Sequence, residues 1–174
     1  MDAQEYAKDF LEGVRSEAAA TGEGKCAVFV RNVAQQLVDA EVLPDFEGSF
    51  YTGTGRGNRK FRVDGYILDE FDMAMNLIIA DFDEDPDRIL AKTGISQCLT
   101  RLSYFAELAL NGSLHDVIEP STPCADLADI IHTYKDRIRK FKYHIFTDAS
   151  VSATIKTVET QPIGTIPTDC QVWS

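Results

Sequence analysis

The sequence predicts an α/β (α+β) fold, in which helices flank a central mixed β-sheet. Apolar residues recur at helical spacing near the N-terminus and again in the middle of the chain. Elsewhere, short runs of β-branched and aromatic residues are bounded by turn-forming residues, as in strands. The predicted order is two helices, two strands, two helices and two strands, with a further strand at the C-terminus. This order is typical of a sheet covered by helices.

The composition predicts one globular domain over residues 1–174, because 44% hydrophobic and 26% charged residues are enough for a core. No apolar run approaches the roughly 20 residues that span a bilayer. The N-terminus is acidic and mixed, unlike a signal peptide. The cysteines lack a C-x-x-C pair, which argues against zinc and for reduced thiols (Cys26, Cys98, Cys124 and Cys170). We therefore expect a cytoplasmic protein without membrane contact.

The net charge of −11 bears on the partners of the chain. Affinity for nucleic acid comes mainly from Lys and Arg on phosphates, so a chain this acidic is a poor general binder. Its bases cluster in residues 56–62 and 135–142, and each cluster alone is typical of a solvated face. Nucleic acid therefore stays open as a partner, through a local site only.

Two helices are predicted at the N-terminus. Tyr6, Phe10 and Val14 lie four residues apart, which places them on one helical face. The segment from Lys25 to Leu43 repeats the pattern. Thr21, Gly22 and Gly24 separate the helices, and Glu23, beside the second start, is of a type favoured near helix N-termini.

The glycines of "GTGRG" (residues 53–57) resemble a phosphate loop only superficially. A nucleotide-binding loop leads from a strand into a helix, and these glycines lead into a strand without a following G-K-[ST]. We interpret them as a flexible turn before a β-hairpin.

The hairpin is predicted from strands at 59–69 and 74–82, with acids marking its turn. The segment "DEDPDRILAKTG" is then expected to open a helix, with Asp85 or a neighbour as its cap and Pro86 in its first turn. That helix ends at "NGS". A further helix begins at Thr122 and Pro123, and strands follow at 142–150, 153–164 and 168–173.

The hairpin carries a pair of carboxylates that could bind a metal ion. Asp64 lies inside the apolar run "FRVDGYIL", beside Gly65, and Asp81 ends the second strand. A turn at Phe71–Asp72 pairs residues whose numbers sum to 143, which sets Asp64 opposite Ile79 with Asp81 as its diagonal neighbour. Any odd sum places both acids on one face, roughly 5 to 8 Å apart. Mg²⁺ prefers such oxygen ligands.

The same residues have an ordinary structural interpretation. Acids are common at strand ends and turns, so Asp81 could simply end its strand beside a solvated loop. From Val63 to Asp87 inclusive there are nine acids and no base, and most of them fit turns and helix caps. Asp64 is the stronger indication of a site, because a glycine after it often marks a close backbone approach.

The chain resembles the N-terminal region of the abortive infection phage resistance (AIPR) family. The resemblance is carried by "VDGYILDE", "LIIADFDED", "LTRLSYFAELAL", "HIFTDASVSATIKTVE" and the closing "VW", in that order. It covers most of the chain and is weakest before Gly22. Relatives are usually longer, so the resemblance implies that residues 1–174 are the N-terminal part of a longer protein.

The resemblance implies a restriction-endonuclease-like fold of the PD-(D/E)XK type and a Mg²⁺ cofactor. Asp64 matches the first motif acid, Asp81 the second and Glu23 the helix acid, so these three are the expected metal ligands. Asp64 and Asp81 are also the expected catalytic residues. The motif lysine is missing, because Asp83 stands two residues after Asp81, and Lys60 on the partner strand is the candidate substitute.

Three functions follow. The first is a nuclease-like domain of an antiphage defence protein that hydrolyses phosphodiesters with Mg²⁺ at Asp64 and Asp81. The second, favoured by Asp83, is a catalytically degenerate domain of the same fold used for assembly or sensing. The third is an acidic interaction protein that mimics DNA. Further domains of a longer chain are expected partners in the first two, and a homo-oligomer stays open.

Overall fold

The computed structural model of the protein describes residues 1–155 and 157–174. Its centre is a five-stranded mixed sheet of order β1-β2-β3-β5-β7. These strands are Glu47–Thr54, Lys60–Asp69, Ala74–Asp81, Lys140–Thr147 and Thr168–Trp173. The β1–β2 and β2–β3 pairs are antiparallel, and the β3–β5 and β5–β7 pairs are parallel. The predicted mixed sheet is confirmed.

Four α-helices cover this sheet in the described residues: α1 (Ala3–Thr21), α2 (Lys25–Asp39), α3 (Lys92–Leu110) and α4 (Pro123–Thr133). The N-cap of α1 is Asp2, whose carboxylate accepts the N–H of Glu5 at 2.8 Å. The helix ends at Gly22, which has a φ of 76°. Among the described residues, no helix is long and apolar enough to cross a membrane.

The sheet separates two hydrophobic clusters, and strand β3 contributes to both. Met75, Leu77 and Ile79 pack in the cluster that contains α3 and α4. Ile78 and Ala80 pack in the cluster that contains α1 and α2. Because side chains of a strand alternate between faces, the almost uninterrupted apolar run of β3 indicates a strand covered on both sides. The fold is therefore a sheet between two helical layers.

The register of the central hairpin is the predicted one. Gly65 pairs with Ile78 and Asp69 with Ala74, so paired numbers sum to 143. The Asp69 carboxylate accepts the backbone N–H groups of Phe71 and Asp72 and so closes the turn. The β2–β3 ladder ends at Gly65, one residue short of Asp64.

Three sequence predictions are corrected. The glycines of residues 53–57 were predicted to form a turn before the hairpin, but Gly53 lies inside strand β1 (Glu47–Thr54), which was not predicted, and only Gly55 and Gly57 lie in the connection from β1 to β2. The helix predicted to begin near Asp85 begins at Lys92, after the short strand β4 (Ile89–Leu90), which pairs with β6 (Ser150–Val151). The strand predicted over 153–164 is absent from the described part of that segment, and residue 156 lies outside it.

Gly65 is a place where a side chain would not fit. A β-carbon built on it would lie 2.2 Å from Cε2 of Phe46 and 3.2 Å from the carbonyl oxygen of Glu47. We expect Gly65→Ala to lower the free energy of unfolding by about 1–3 kcal/mol, because the Phe46 ring must move. Urea denaturation measures this loss. Gly13→Ala is the matched control, since nothing lies within 4 Å of its β-carbon, and an equal loss in both variants would contradict the prediction.

Candidate functional site

Asp64 is a buried carboxylate whose oxygens are both occupied. Its side chain is only 4% exposed, and Arg62 binds it through Nε to Oδ1 at 3.1 Å and Nη2 to Oδ2 at 2.9 Å. Oδ2 also accepts the backbone N–H of Ala80 at 2.7 Å. Where the β2–β3 ladder has stopped, the side chain of Asp64 thus takes the place of a strand carbonyl.

Burial raises the pKa of Asp64, because the low-dielectric interior disfavours the charged carboxylate. The Arg62 guanidinium and the Ala80 N–H oppose this effect without cancelling it. Arg62 also reaches Sγ of Cys26 on α2 at 3.5 Å, so the ion pair is enclosed by the sheet and a helix. Arg62 is therefore the cation that stabilises the ionised form of the buried Asp64 carboxylate.

Asp81 ends β3 and is held by a different arginine. Its Oδ2 accepts from Arg88 Nη2 at 2.7 Å and from Thr147 Oγ1 at 2.9 Å. Thr147 is its register partner on the parallel strand β5. The side chain of Asp81 is 23% exposed, so this carboxylate is closer to solvent than Asp64.

Asp148 is a third carboxylate of this region, which the sequence analysis did not identify. Its side chain is 2% exposed and accepts from Arg88 Nη2 at 3.0 Å. It also accepts the backbone N–H groups of Asp83, at 3.3 Å, and Asp85, at 3.1 Å. One signal was available: the carboxyl ends of parallel strands meet at one edge, so an acid directly after β5 lies beside one that ends β3.

The remaining predicted site residues lie elsewhere. Glu23 precedes α2 and forms an ion pair with Arg31. Lys60 is the exposed first residue of β2 and pairs with Thr54 of β1. Asp83, at the position of the motif lysine, has a 75% exposed side chain. The structure thus brings Asp64 and Asp81 onto neighbouring strands and leaves Glu23 paired outside them.

The arrangement of these acids does not match an open divalent-cation site. Among the described residues, no group of three or more His, Cys, Asp or Glu side chains is placed to hold a metal ion. Arg62 binds Asp64 and Arg88 binds Asp81, so a cation would have to displace guanidinium groups. The Mg²⁺ site at Asp64, Asp81 and Glu23 stays a prediction.

A buried hydrogen-bond chain crosses the sheet beside this region. The Trp173 indole N–H, which can only donate, lies 3.1 Å from Nδ1 of His144. Nδ1 must therefore accept, and Nε2–H of His144 donates to Oδ1 of Asn76 at 2.8 Å. Asn76 in turn donates to the carbonyl of Ile67. His144 is thus held in one neutral tautomer. Protonation of its Nδ1 would set that N–H against the indole N–H of Trp173, and two donors cannot bond to each other.

Acid is expected to weaken the fold through His144. Burial, with Lys142 adding to it and Asp169 opposing it, lowers the pKa of His144 from 6.5 to about 4. The unfolded chain therefore binds this proton first as the pH falls. Neutral His144 therefore contributes about 3 kcal/mol to the free energy of unfolding. This contribution is fully present above pH 6.5 and is lost as the pH falls from 6.5 to about 4.

Urea denaturation of the wild type and His144→Gln over that pH range measures this loss. The wild type should lose about 3 kcal/mol more than the variant as the pH falls, and the fluorescence of Trp173 should change over the same range. His115→Gln, at a half-exposed histidine, is the control. Equal pH profiles for the wild type and His144→Gln would contradict the prediction.

Comparison with protein families identifies the chain. The model of the family described as the abortive infection phage resistance protein N-terminal domain matches residues 29–174. The match covers α2 from Phe29 onward, the whole sheet and both acids, Asp64 and Asp81. The comparison with curated proteins found no match, and neither did the comparison with solved structures. On the family match, the chain belongs to the family of N-terminal domains of abortive infection phage resistance proteins.

Proposed function

We propose that this domain serves phage defence as a non-cleaving assembly or sensing domain of a restriction-endonuclease-like fold. The observation that carries the proposal is the pairing of both candidate catalytic acids with arginines. Arg62 occupies both oxygens of Asp64, and Arg88 binds Asp81 together with Asp148. The role in phage defence is proposed from the family to which the chain belongs, whose description is abortive infection phage resistance.

The position of the missing lysine supports the same proposal. A lysine there would help to stabilise negative charge in the transition state, and an aspartate has the opposite sign. Asp83 lies in the loop after β3, where its backbone N–H is bound by Asp148. The backbone N–H of Asp83 anchors that loop, whereas its carboxylate is 75% exposed and only approaches Arg88, at 4.0 Å.

Metal-dependent cleavage is the second candidate. One observation favours it: the hairpin register sums to 143, and Oδ2 of Asp64 bonds to Ala80, the residue next to Asp81. Two carboxylates on neighbouring strands are the core of such a site. Their use would require Arg62 and Arg88 to release them when Mg²⁺ and nucleic acid bind.

Calorimetric titration with MgCl₂ and MnCl₂, alongside incubation with DNA and RNA, separates the two candidates. The proposal expects no saturable metal binding that depends on Asp64 and no metal-dependent cleavage. Cleavage that requires Mg²⁺ and is lost in Asp64→Asn and Asp81→Asn would overturn it. Asp72→Asn, in the exposed hairpin turn, is the control with the same change of charge and should behave like the wild type.

A further inference from the structure

A groove of about 850 Å³ opens beside the carboxyl ends of β5 and β7. We call it the α1–β7 groove, and its walls are mostly apolar: Tyr6 and Phe10 of α1, Phe29 and Val33 of α2, Ile89 of β4, and Trp173 of β7. In open α/β sheets, ligands bind outside the carboxyl ends of the strands. The groove has this position and the size of a binding site.

The rim of the groove exposes large apolar side chains that the fold leaves uncovered. Met1 is 83% exposed, Ile89 67% and Tyr6 50%. Clustered exposure of this kind marks interaction surfaces, whereas isolated exposed apolar residues are ordinary. Because these side chains face solvent around the groove, a small molecule bound inside it would leave them exposed to solvent. A segment of a macromolecule would cover both the walls and the rim.

The charged residues of the groove indicate which charge a binding partner should carry. The lining of the groove includes Asp2 and Asp87 and, among the described residues, no Lys, Arg or His; it also includes Asp148, whose buried carboxylate is already paired with Arg88. Asp87 accepts from Gln4 through Oδ1, and its Oδ2 has no bonded partner in the described part of the chain. An apolar channel with an acidic border favours a segment that is apolar on one side and basic on the other.

We propose that the α1–β7 groove binds a basic amphipathic helix of a protein partner. Such a helix lays its apolar side chains into a groove and keeps its cations at the rim. Tyr6, Ile89 and Trp173 would contact its apolar face, and Asp2 and Asp87 its basic edge. The proposal goes beyond the proposed function, and it does not depend on whether Asp64 and Asp81 cut nucleic acid.

Trp173 is the single tryptophan of the chain and lines the groove, so its fluorescence reports occupancy. The probe is a synthetic amphipathic helix built from leucine and lysine, titrated into the whole chain. Its matched control has the same leucines with glutamate in place of lysine. We expect a saturable change with a dissociation constant on the order of 10 μM for the lysine peptide and none for the glutamate peptide.

Substitutions test where the peptide binds. Ile89→Ser should weaken binding about tenfold, as expected when a large apolar side chain that the partner covers is lost. Phe71→Ser, at a 95% exposed phenylalanine of the hairpin turn, should leave it unchanged. Asp87→Asn should weaken binding more at low salt than at high salt, and Asp72→Asn should not weaken it.

Several outcomes would overturn the proposal. Absence of a saturable change in Trp173 fluorescence is one, and equal binding of the glutamate peptide is another. Equal losses in Ile89→Ser and Phe71→Ser would show general attraction to an acidic protein. Concentration-dependent self-association that Ile89→Ser abolishes, measured by analytical ultracentrifugation, would identify a second copy of the chain as the occupant instead.

Discussion

Replacing Arg62 by alanine is expected to lower the free energy of unfolding by about 3–5 kcal/mol at neutral pH. The reason is the carboxylate that remains. Asp64 is 3% exposed, and without the guanidinium it keeps only the N–H of Ala80 as a described partner. An uncompensated charge in the interior costs more than the pair contributes. Urea denaturation measures the loss.

The pH dependence of this loss distinguishes the charge from simple packing. Loss of Arg62 removes an interaction that lowers the pKa of Asp64, so the pKa of this carboxyl, already raised by burial, rises further. A folded pKa above the unfolded value means that the native state holds the proton longer, so the stability of the variant falls as the pH rises through this range. The difference in the free energy of unfolding between the wild type and Arg62→Ala should therefore become smaller as the pH is lowered.

A double substitution completes the test. Adding Asp64→Asn to Arg62→Ala removes the stranded charge and should recover part of the lost stability, because the two residues are coupled. Arg56→Ala is the control, since this arginine is exposed beside the β1–β2 turn, and it should change stability by less than about 0.5 kcal/mol. A loss that does not vary with pH and is not rescued would show that Asp64 is not ionised in the folded state.

The hairpin shows what the sequence was able to predict. Its two apolar runs and the acidic turn at Asp69 predicted both strands and a register sum of 143, which the structure has. These features are local: the turn sets the register, and a slip of one residue would turn every side chain of the slipped strand to the opposite face of the sheet. The helices α1 and α2 were predictable for the same reason, through their apolar periodicity and the glycines between them.

The elements that were missed depend on distant partners. Pro86 and its acidic neighbours fit a helix start locally, but Asp148 binds the N–H groups of Asp83 and Asp85, and the loop bends at Glu84 and turns at Pro86 without starting a helix. Strand β4 then pairs with β6, which follows β5 in the chain. Strand β1 is rich in glycine and polar residues and has little apolar periodicity, yet it completes the sheet beside β2. Tertiary contacts overrode propensity in these places.

The acidic residues of the candidate site were predictable from the sequence, but the arginines that bind them were not. Asp64 stood out because it interrupts an apolar run, and Asp81 because it ends one. Their partners, Arg62 and Arg88, belong to segments that looked like a solvated basic patch and a helix start. Whether a carboxylate binds a metal or an arginine is decided by side-chain placement, which spacing along the chain does not determine.

The second large effect is expected at Arg88, which joins the ends of β3 and β5. Its Nη2 contacts Oδ2 of Asp81, the carbonyl oxygen of Asp81 and Oδ1 of Asp148. Arg88→Ala would leave Asp148 buried with backbone N–H donors but no cation. We expect a loss of about 3 kcal/mol in the free energy of unfolding, together with faster amide hydrogen exchange at Asp83 and Asp85, whose N–H groups Asp148 holds.

Two further arginine variants separate this role of Arg88 from a general effect of charge. Arg15→Ala removes an ion pair to Glu84, whose side chain is 31% exposed, and should cost less than about 1 kcal/mol, because exposed pairs contribute little. Arg88→Lys keeps the charge and one nitrogen that can donate to both carboxylates, as Nη2 alone does in the structure, so its loss should be smaller than that of Arg88→Ala. If Arg88→Ala costs no more than Arg15→Ala, Asp148 does not carry a buried charge, and the loop after β3 must be held by its backbone alone.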